Sequence, residues 1–430
     1  MRIRGKAFFV AIFVVLSMVT FPLADAFSVK NLTHCIKTCN DDSHIIDDPR
    51  VPYVKQTTKV YCVEASITML INYYGFNATI EEILHDLGCG YSLTCYRFIP
   101  GVSRVPFGGL VIYSSTPSDM SFLAGLFNLS FHDYSVRNQS EDILWEMYWT
   151  KVKKLIRNDI PVLTAVDARF LTYWKEFFKR HNISENETLS GSHAIVIVGY
   201  NDSNGTVCYN DPGVGVVDTE ENGTYIFEKQ ETFKKAVMNW RNESCKIWAF
   251  QKTSGFSPPS HMERFEKAHK RNIRRMKGEF EAYFGFNISD LPFLYRVFST
   301  LCLRFGINAI ETLEKNFKKS VFHRLITVNQ YSKPDFEFLM PTYELIYMEK
   351  HNVSQYLLEN KGISPVCEHD GLLLENESRL WEKIYVQVKE LNEIGRNNSL
   401  LKTLVLTWPL LDEISHARDE IIEIENMIIK

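Results

Sequence analysis

HAIVIVGYNDSNGTVCYNDP, His193 to Pro212, is the stretch on which the fold turns. Its first eight residues are apolar and rich in β-branched side chains, which favour a strand. NDSNG, Asn201 to Gly205, supplies turn residues, and TVCYNDP returns as a second strand. Together they predict a β-hairpin with a histidine at the start of one strand and an aspartate at the end of the other.

Working outward, Lys246 to Lys252 reads as a strand closing the same sheet, and Ile160 to Val166 as a short buried one. Leu144, Met147, Tyr148, Val152 and Leu155 recur at helical spacing. Further upstream, Ala65, Met69, Leu70 and Tyr73 predict a helix from Cys62 to Tyr74 that stops at Gly75. A second helix is expected from about Thr79 to Leu87. Gly88 to Ser135 reads as loops and short strands. Helices followed by an antiparallel sheet give an α+β domain over residues 51–255.

GFSPPSH, Gly255 to His261, reads as a linker, and after it strand patterns nearly vanish. Leu411, Ile414, Ala417, Ile421, Ile424 and Ile428 lie three or four residues apart, as on one face of a helix, and Leu380 to Leu391 is similar. Residues 256–430 are therefore expected to be a mostly α-helical accessory domain. Its basic run, KAHKRNIRRMKG from Lys267 to Gly278, reads as a solvated helix face.

At the other end, MRIRGK precedes the apolar run Ala7 to Phe21, and Ala24-Asp25-Ala26 has the small-x-small pattern of a cleavage site. Residues 1–26 read as a signal peptide, with an uncleaved N-terminal anchor as the alternative, and residues 27–50 as a polar segment. Fourteen Asn-x-Ser/Thr triplets, Asn77, Asn182 and Asn204 among them, point the same way, to a secreted glycoprotein. Of nine cysteines, neighbouring pairs suggest disulfides 35–39, 89–95, 208–245 and 302–367, which leaves Cys62 alone. The 430 residues are 45% hydrophobic and 23% charged, with a formal net charge of −4. That composition suits a folded globular chain of two or three domains and argues against a nucleic-acid partner. There is no CxxC pair or HExxH helix to suggest a metal, and no cofactor motif.

Three segments carry chemistry. QTTKVYC, Gln56 to Cys62, places a thiol at a helix start, where the unpaired N–H groups favour the thiolate. Cys62 is thus the candidate nucleophile. Its backbone N–H and the Gln56 side chain are candidate oxyanion donors. His193 is the candidate general base, and Asp211 is expected to accept its Nδ1 proton and orient the ring, with Asn210 as the alternative orienter.

The order Gln-x5-Cys, a Ser-His strand ending in VGY and a strand ending in NDP resembles the papain-like cysteine peptidases of the bacteriocin-leader-processing type, peptidase family C39. The resemblance spans about Val51 to Phe250. It implies a papain-like fold, a helix carrying Cys and a sheet carrying His and Asp. It further implies hydrolysis of a peptide or amide bond, with Gln56, Cys62, His193 and Asp211 in the family's four roles. CVEASITMLINYYG and the segment Pro161 to Trp174 are also similar to the N-terminal domain of the butirosin biosynthesis protein H acyltransferases, which would imply acyl transfer to an amine. A catalytically inactive papain-like binding module is the third reading. Where the peptidases follow their cysteine with Gly-Pro, this chain has Val63-Glu64, and a carboxylate in the first turn works against a thiolate.

Overall fold

The computed structural model describes residues 42–46, 50–58, 60–96, 110–112, 116–137, 139–183, 192–216, 221–240, 244–285, 303–305, 307–310, 340–397 and 400–430. The leader, the polar segment up to residue 41, Cys35, Cys39 and Cys302 lie outside them. In chain order the elements are β1 (Ser43–Ile45), α1 (Cys62–Tyr73), α2 (Ile80–Leu87), β2 (Leu93–Tyr96), β3 (Leu110–Ile112), α3 (Pro117–Leu126), β4 (Leu129–Asp133), β5 (Val136–Arg137) and α4 (Glu141–Arg157). There follow β6 (Val162–Asp167), α5 (Thr172–Arg180), β7 (Ser192–Asn201), β8 (Thr206–Asn210), β9 (Ile226–Lys229), α6 (Gln230–Trp240), β10 (Ser244–Cys245) and β11 (Trp248–Lys252). The remainder is α7 (His261–Met276), α8 (Phe280–Phe284), β12 (Leu303–Phe305), α9 (Met340–Glu359), α10 (Pro365–Asn397) and α11 (Leu400–Ile429).

Two compact units are formed, residues 28–83 with 120–259, and residues 84–119 with 260–430. In the first, an antiparallel sheet runs β4-β11-β6-β7-β8-β9, with β1 also paired to β7. The hairpin is in register, Val196 opposite Asn210 and Tyr200 opposite Val207, with a bulge between Ile197 and Gly199. All residues of β7 from His193 to Tyr200 are buried, so both faces of this strand are covered. This is why its sequence is a continuous apolar run and not an alternation. Helix α1 packs on β6, β7 and β11, and the Ser66 hydroxyl donates to the Ala194 carbonyl. Helices α4 and α6 also pack on the sheet.

Helices α3, α5 and α6 were not legible in the sequence. Helix α3 lies inside the stretch read as loops and short strands: Pro117 opens it, and Asp119 bonds back to Thr116 in a local cap. Met120, Leu123, Ala124 and Phe127 are buried at helical spacing, a stripe too short to stand out within that stretch.

The second unit is mostly helical. Trp381, Ile384, Val388 and Leu391 of α10 pack with Leu411, Ile414, Ala417 and Ile421 of α11 and with Tyr343 and Ile346 of α9. A three-stranded sheet, β12-β2-β3, joins two of the short strands expected between Gly88 and Ser135 to β12, a strand that the sequence pattern did not show. The basic run is not a solvated face throughout. Arg271 and Arg275 of α7 are buried, and both guanidinium groups pair with Asp119. Arg275 also donates to the Leu87 and Ala282 carbonyls and to Ser92 Oγ.

Two of the expected disulfides are not formed: Cys208, Cys245 and Cys367 are buried free thiols. Cys208 stands on β8 opposite Gly199 and Phe227, while Cys245 stands on β10, in the separate β5-β10 ladder, with its thiol on Met238 Sδ. Each fills a core position as a small hydrophobe. No helix among the described residues is long and apolar enough to cross a membrane.

Candidate active site

Helix α1 begins at Cys62, so the thiol sits in its first turn, where backbone N–H groups point outward without intrahelical acceptors. Cys62 is partly exposed and free. Its side chain is within hydrogen-bonding reach of the His193 imidazole, which β7 presents from its second residue. The neighbouring β8 ends at Asn210, and the next residue, Asp211, is fully buried with its Oδ1 2.6 Å from His193 Nε2. Sheet pairing therefore brings together an acid and an imidazole 18 residues apart.

The nitrogen facing Asp211 is Nε2, not the Nδ1 expected from sequence. Asp211 thus occupies Nε2, and Nδ1 is the nitrogen it leaves open. Asp211 is held by three donors. Besides His193, the Trp174 indole N–H donates to Oδ2 at 2.9 Å and the Gly213 amide to Oδ1 at 2.8 Å. The Trp174 ring stands edge-on to His193, centroids 5.7 Å apart. Gly213 has to be glycine here, since a Cβ would come within 2.8 Å of the indole and 3.0 Å of His193 Cε1.

These contacts set the charges. Burial disfavours a cationic His193, but the Asp211 charge, the hydrogen bond to it and the Cys62 sulfur outweigh burial, and the imidazole pKa is raised. Burial likewise works against ionised Asp211, and His193, Trp174 and the Gly213 amide hold its pKa below the usual value. The site thus favours a carboxylate and an imidazolium.

Gln56 is buried beside this group. Its backbone N–H donates to the Pro212 carbonyl at 3.0 Å, tying its loop to the turn after Asp211. One amide hydrogen of its side chain goes to the Thr58 carbonyl at 2.7 Å, and Oε1 has no hydrogen-bond partner among the described residues. A carboxamide has a second N–H to offer. Asn210 turns elsewhere: Oδ1 accepts from the Tyr225 amide at 2.8 Å and Nδ2 faces the Val51 carbonyl. It braces the hairpin and does not touch the imidazole. Glu64, the third residue of α1, is 6% exposed, and burial pushes its carboxyl up to about 7. It therefore resists becoming a second negative charge beside the thiol.

Sequence reasoning missed Trp174 and Tyr53. The Tyr53 hydroxyl donates toward the Asp211 and Val214 carbonyls, clamping the turn that aims the carboxylate. Neither had a local signal, because Trp174 is 37 and Tyr53 is 158 residues from Asp211.

A helix-borne thiol set against a sheet-borne histidine and aspartate defines an α+β domain of the papain-like class. Residues 49–246 match the family model described as Peptidase_C39 like family, so this region is C39-like, with an α+β, papain-like fold. The match covers the helix, the hairpin and all four candidate residues. No curated protein matches the chain, and the similarity to butirosin protein H is not seen.

Proposed function

We propose that the chain is an exported thiol hydrolase that cleaves a peptide or amide bond through a Cys62 acyl-enzyme. The observation that supports this most is the His193–Asp211 pair, buried, doubly braced by Trp174 and Gly213, with the imidazole within reach of the partly exposed Cys62 thiol. In this reading Nε2–H is donated to Asp211, which fixes the tautomer, and Nδ1 takes the Cys62 proton. The thiolate attacks the scissile carbonyl. The Cys62 backbone N–H and the second amide hydrogen of Gln56 stabilise the oxyanion. His193 then returns the proton to the leaving amine, and water, activated by the same imidazole, releases the acid.

The leader-like residues 1–26 and the sequons support export. A vinyl-sulfone or epoxide probe applied to the purified, unreduced protein should label Cys62 alone, and His193→Ala should abolish labelling with the fold intact. Cys208, Cys245 and Cys367 are buried and serve as internal controls. A folded protein whose Cys62 reacts no faster than a free cysteine would make the cleft a binding module instead.

A further inference from the structure

In the second unit a group of aromatic and histidine rings is packed between four helices, and none of it belongs to the site above. His85, near the end of α2, is completely buried. Its ring is parallel to Phe265 (centroids 5.1 Å, 7°) and to His269 (6.1 Å, 9°) of α7, and Phe265 and His269 are themselves 5.3 Å apart. Tyr91 meets His85 and His269 edge-on at 6.0 and 6.4 Å, and Tyr356 of α9 lies 5.2 Å from His85. His261, at the start of α7, contacts the Tyr356 hydroxyl through Nε2 at 2.8 Å.

Each central imidazole has one nitrogen on a carboxylate and one on nothing. His85 Nδ1 is 3.0 Å from Asp86 Oδ1, and His269 Nε2 is 3.1 Å from Asp370 Oδ2. Asp370, on α10, is shared with His369 through its other oxygen at 2.7 Å. His85 Nε2, His269 Nδ1 and the Tyr91 hydroxyl have no hydrogen-bond partner among the described residues. A neutral imidazole satisfies this arrangement, giving its one hydrogen to the carboxylate. A protonated one places a second N–H, with a charge, where no acceptor waits.

The same residue is a structural joint through its backbone. Asn272 of α7 donates to the His85 carbonyl at 2.8 Å, and Arg275 one turn on donates to the Leu87 carbonyl. Gly88, with φ of +80°, leaves room for both: a Cβ there would lie 2.6 Å from the Arg275 guanidinium and 2.8 Å from Asn272 Oδ1. Residues 84–93 are thus fitted to α7 through the segment that carries His85.

We propose that His85, stacked on Phe265 and His269, forms an acid-sensitive latch, which holds residues 84–93 on α7 while its ring is neutral and releases them when it takes up a proton. Burial, and then the charges that His269 and His261 would bring, place the His85 pKa well below the ordinary histidine value despite the Asp86 contact. In the released segment the ring is solvated and titrates near the ordinary value of about 6.5. Opening therefore takes up a proton, and its equilibrium constant rises about tenfold for each pH unit below 6.5 until the buried ring itself titrates.

The test is hydrogen–deuterium exchange of the full chain between pH 7.5 and 5.0, corrected for intrinsic exchange, read on peptides covering residues 84–93 and 261–276. Protection in both should fall about tenfold per pH unit below 6.5. His85→Phe keeps a ring in the stack and should flatten that fall. His351→Gln, at an exposed histidine on Glu375, should leave it unchanged. If the fall is absent in the native protein, or persists unaltered in a folded His85→Phe, the latch is refuted. Should His85→Phe not fold, the native chain still decides: a His85 imidazole seen by NMR to titrate at or above 6.5 overturns the proposal, and one titrating well below it upholds the proton uptake on which it rests.

Discussion

Replacing Glu64 with glutamine measures what the buried carboxyl in the first turn of α1 costs. Burial raises the pKa of this group from 4.5 to about 7, and the only counterweight is a hydrogen bond from its own backbone amide. In the unfolded chain the same carboxyl titrates near 4.5. Between these values the unfolded chain has shed a proton that the folded chain keeps, so stability falls as pH rises across the window from 4.5 to 7. At about 1.4 kcal/mol per pH unit, the full loss is about 3 kcal/mol, complete above pH 7. Glutamine has the same shape and no charge. Glu64→Gln should therefore raise the urea-unfolding free energy of the whole chain by up to about 3 kcal/mol at pH 7.5, and by little at pH 4.5. Tryptophan fluorescence at the two pH values provides the assay. A gain of equal size at both, or a loss at pH 7.5, refutes the reasoning and shows that the carboxylate has a stabilising partner.

Other outcomes follow from the same contacts. Asp211→Asn should leave the fold intact and lower Cys62-dependent turnover by about four orders of magnitude, as loss of the orienting acid does in triads; Asn210→Ala loses the bond from the Tyr225 amide and should cost stability with little change in rate. Trp174→Phe keeps the ring against His193 but loses the indole N–H to Asp211, a bond to a charged group, and should slow Cys62 alkylation at neutral pH roughly tenfold or more. Lys350→Met strands Glu377 and Glu425, which the lysine bridges at 2.6 and 3.2 Å with all three side chains buried, and should destabilise the chain by roughly 3–5 kcal/mol in thermal or urea melts. Proteolysis near Ser257 to Pro259 should yield fragments that stay associated on gel filtration, because residues 84–119, on the N-terminal side of the cut, belong to the same compact unit as residues 260–430; free separation of two folded pieces would contradict that grouping.

The sequence by itself determined the elements whose periodicity is local. The β7-β8 hairpin was legible because a β-branched run, a turn cluster and a second run are contiguous. The stripe from Leu411 to Ile428 was legible because one helix face repeats every three or four residues. Even there one position was decided by packing. Ile424 is only half-buried, while the next residue, Glu425, is buried on Lys350, and no stripe of apolar residues predicts an ion group in a core. Cys62, His193, Asp211 and Gln56 were named from motif order, but which imidazole nitrogen faces the acid was decided only in the folded site. Trp174 and Tyr53, the buried Arg271 and Arg275, and the thiol state of Cys208 and Cys245 belonged wholly to the tertiary structure. A hydrogen bond, an ion pair or a disulfide needs two groups within a few ångströms, and for residues far apart along the chain that distance is fixed by sheet order and helix packing, not by spacing in the sequence.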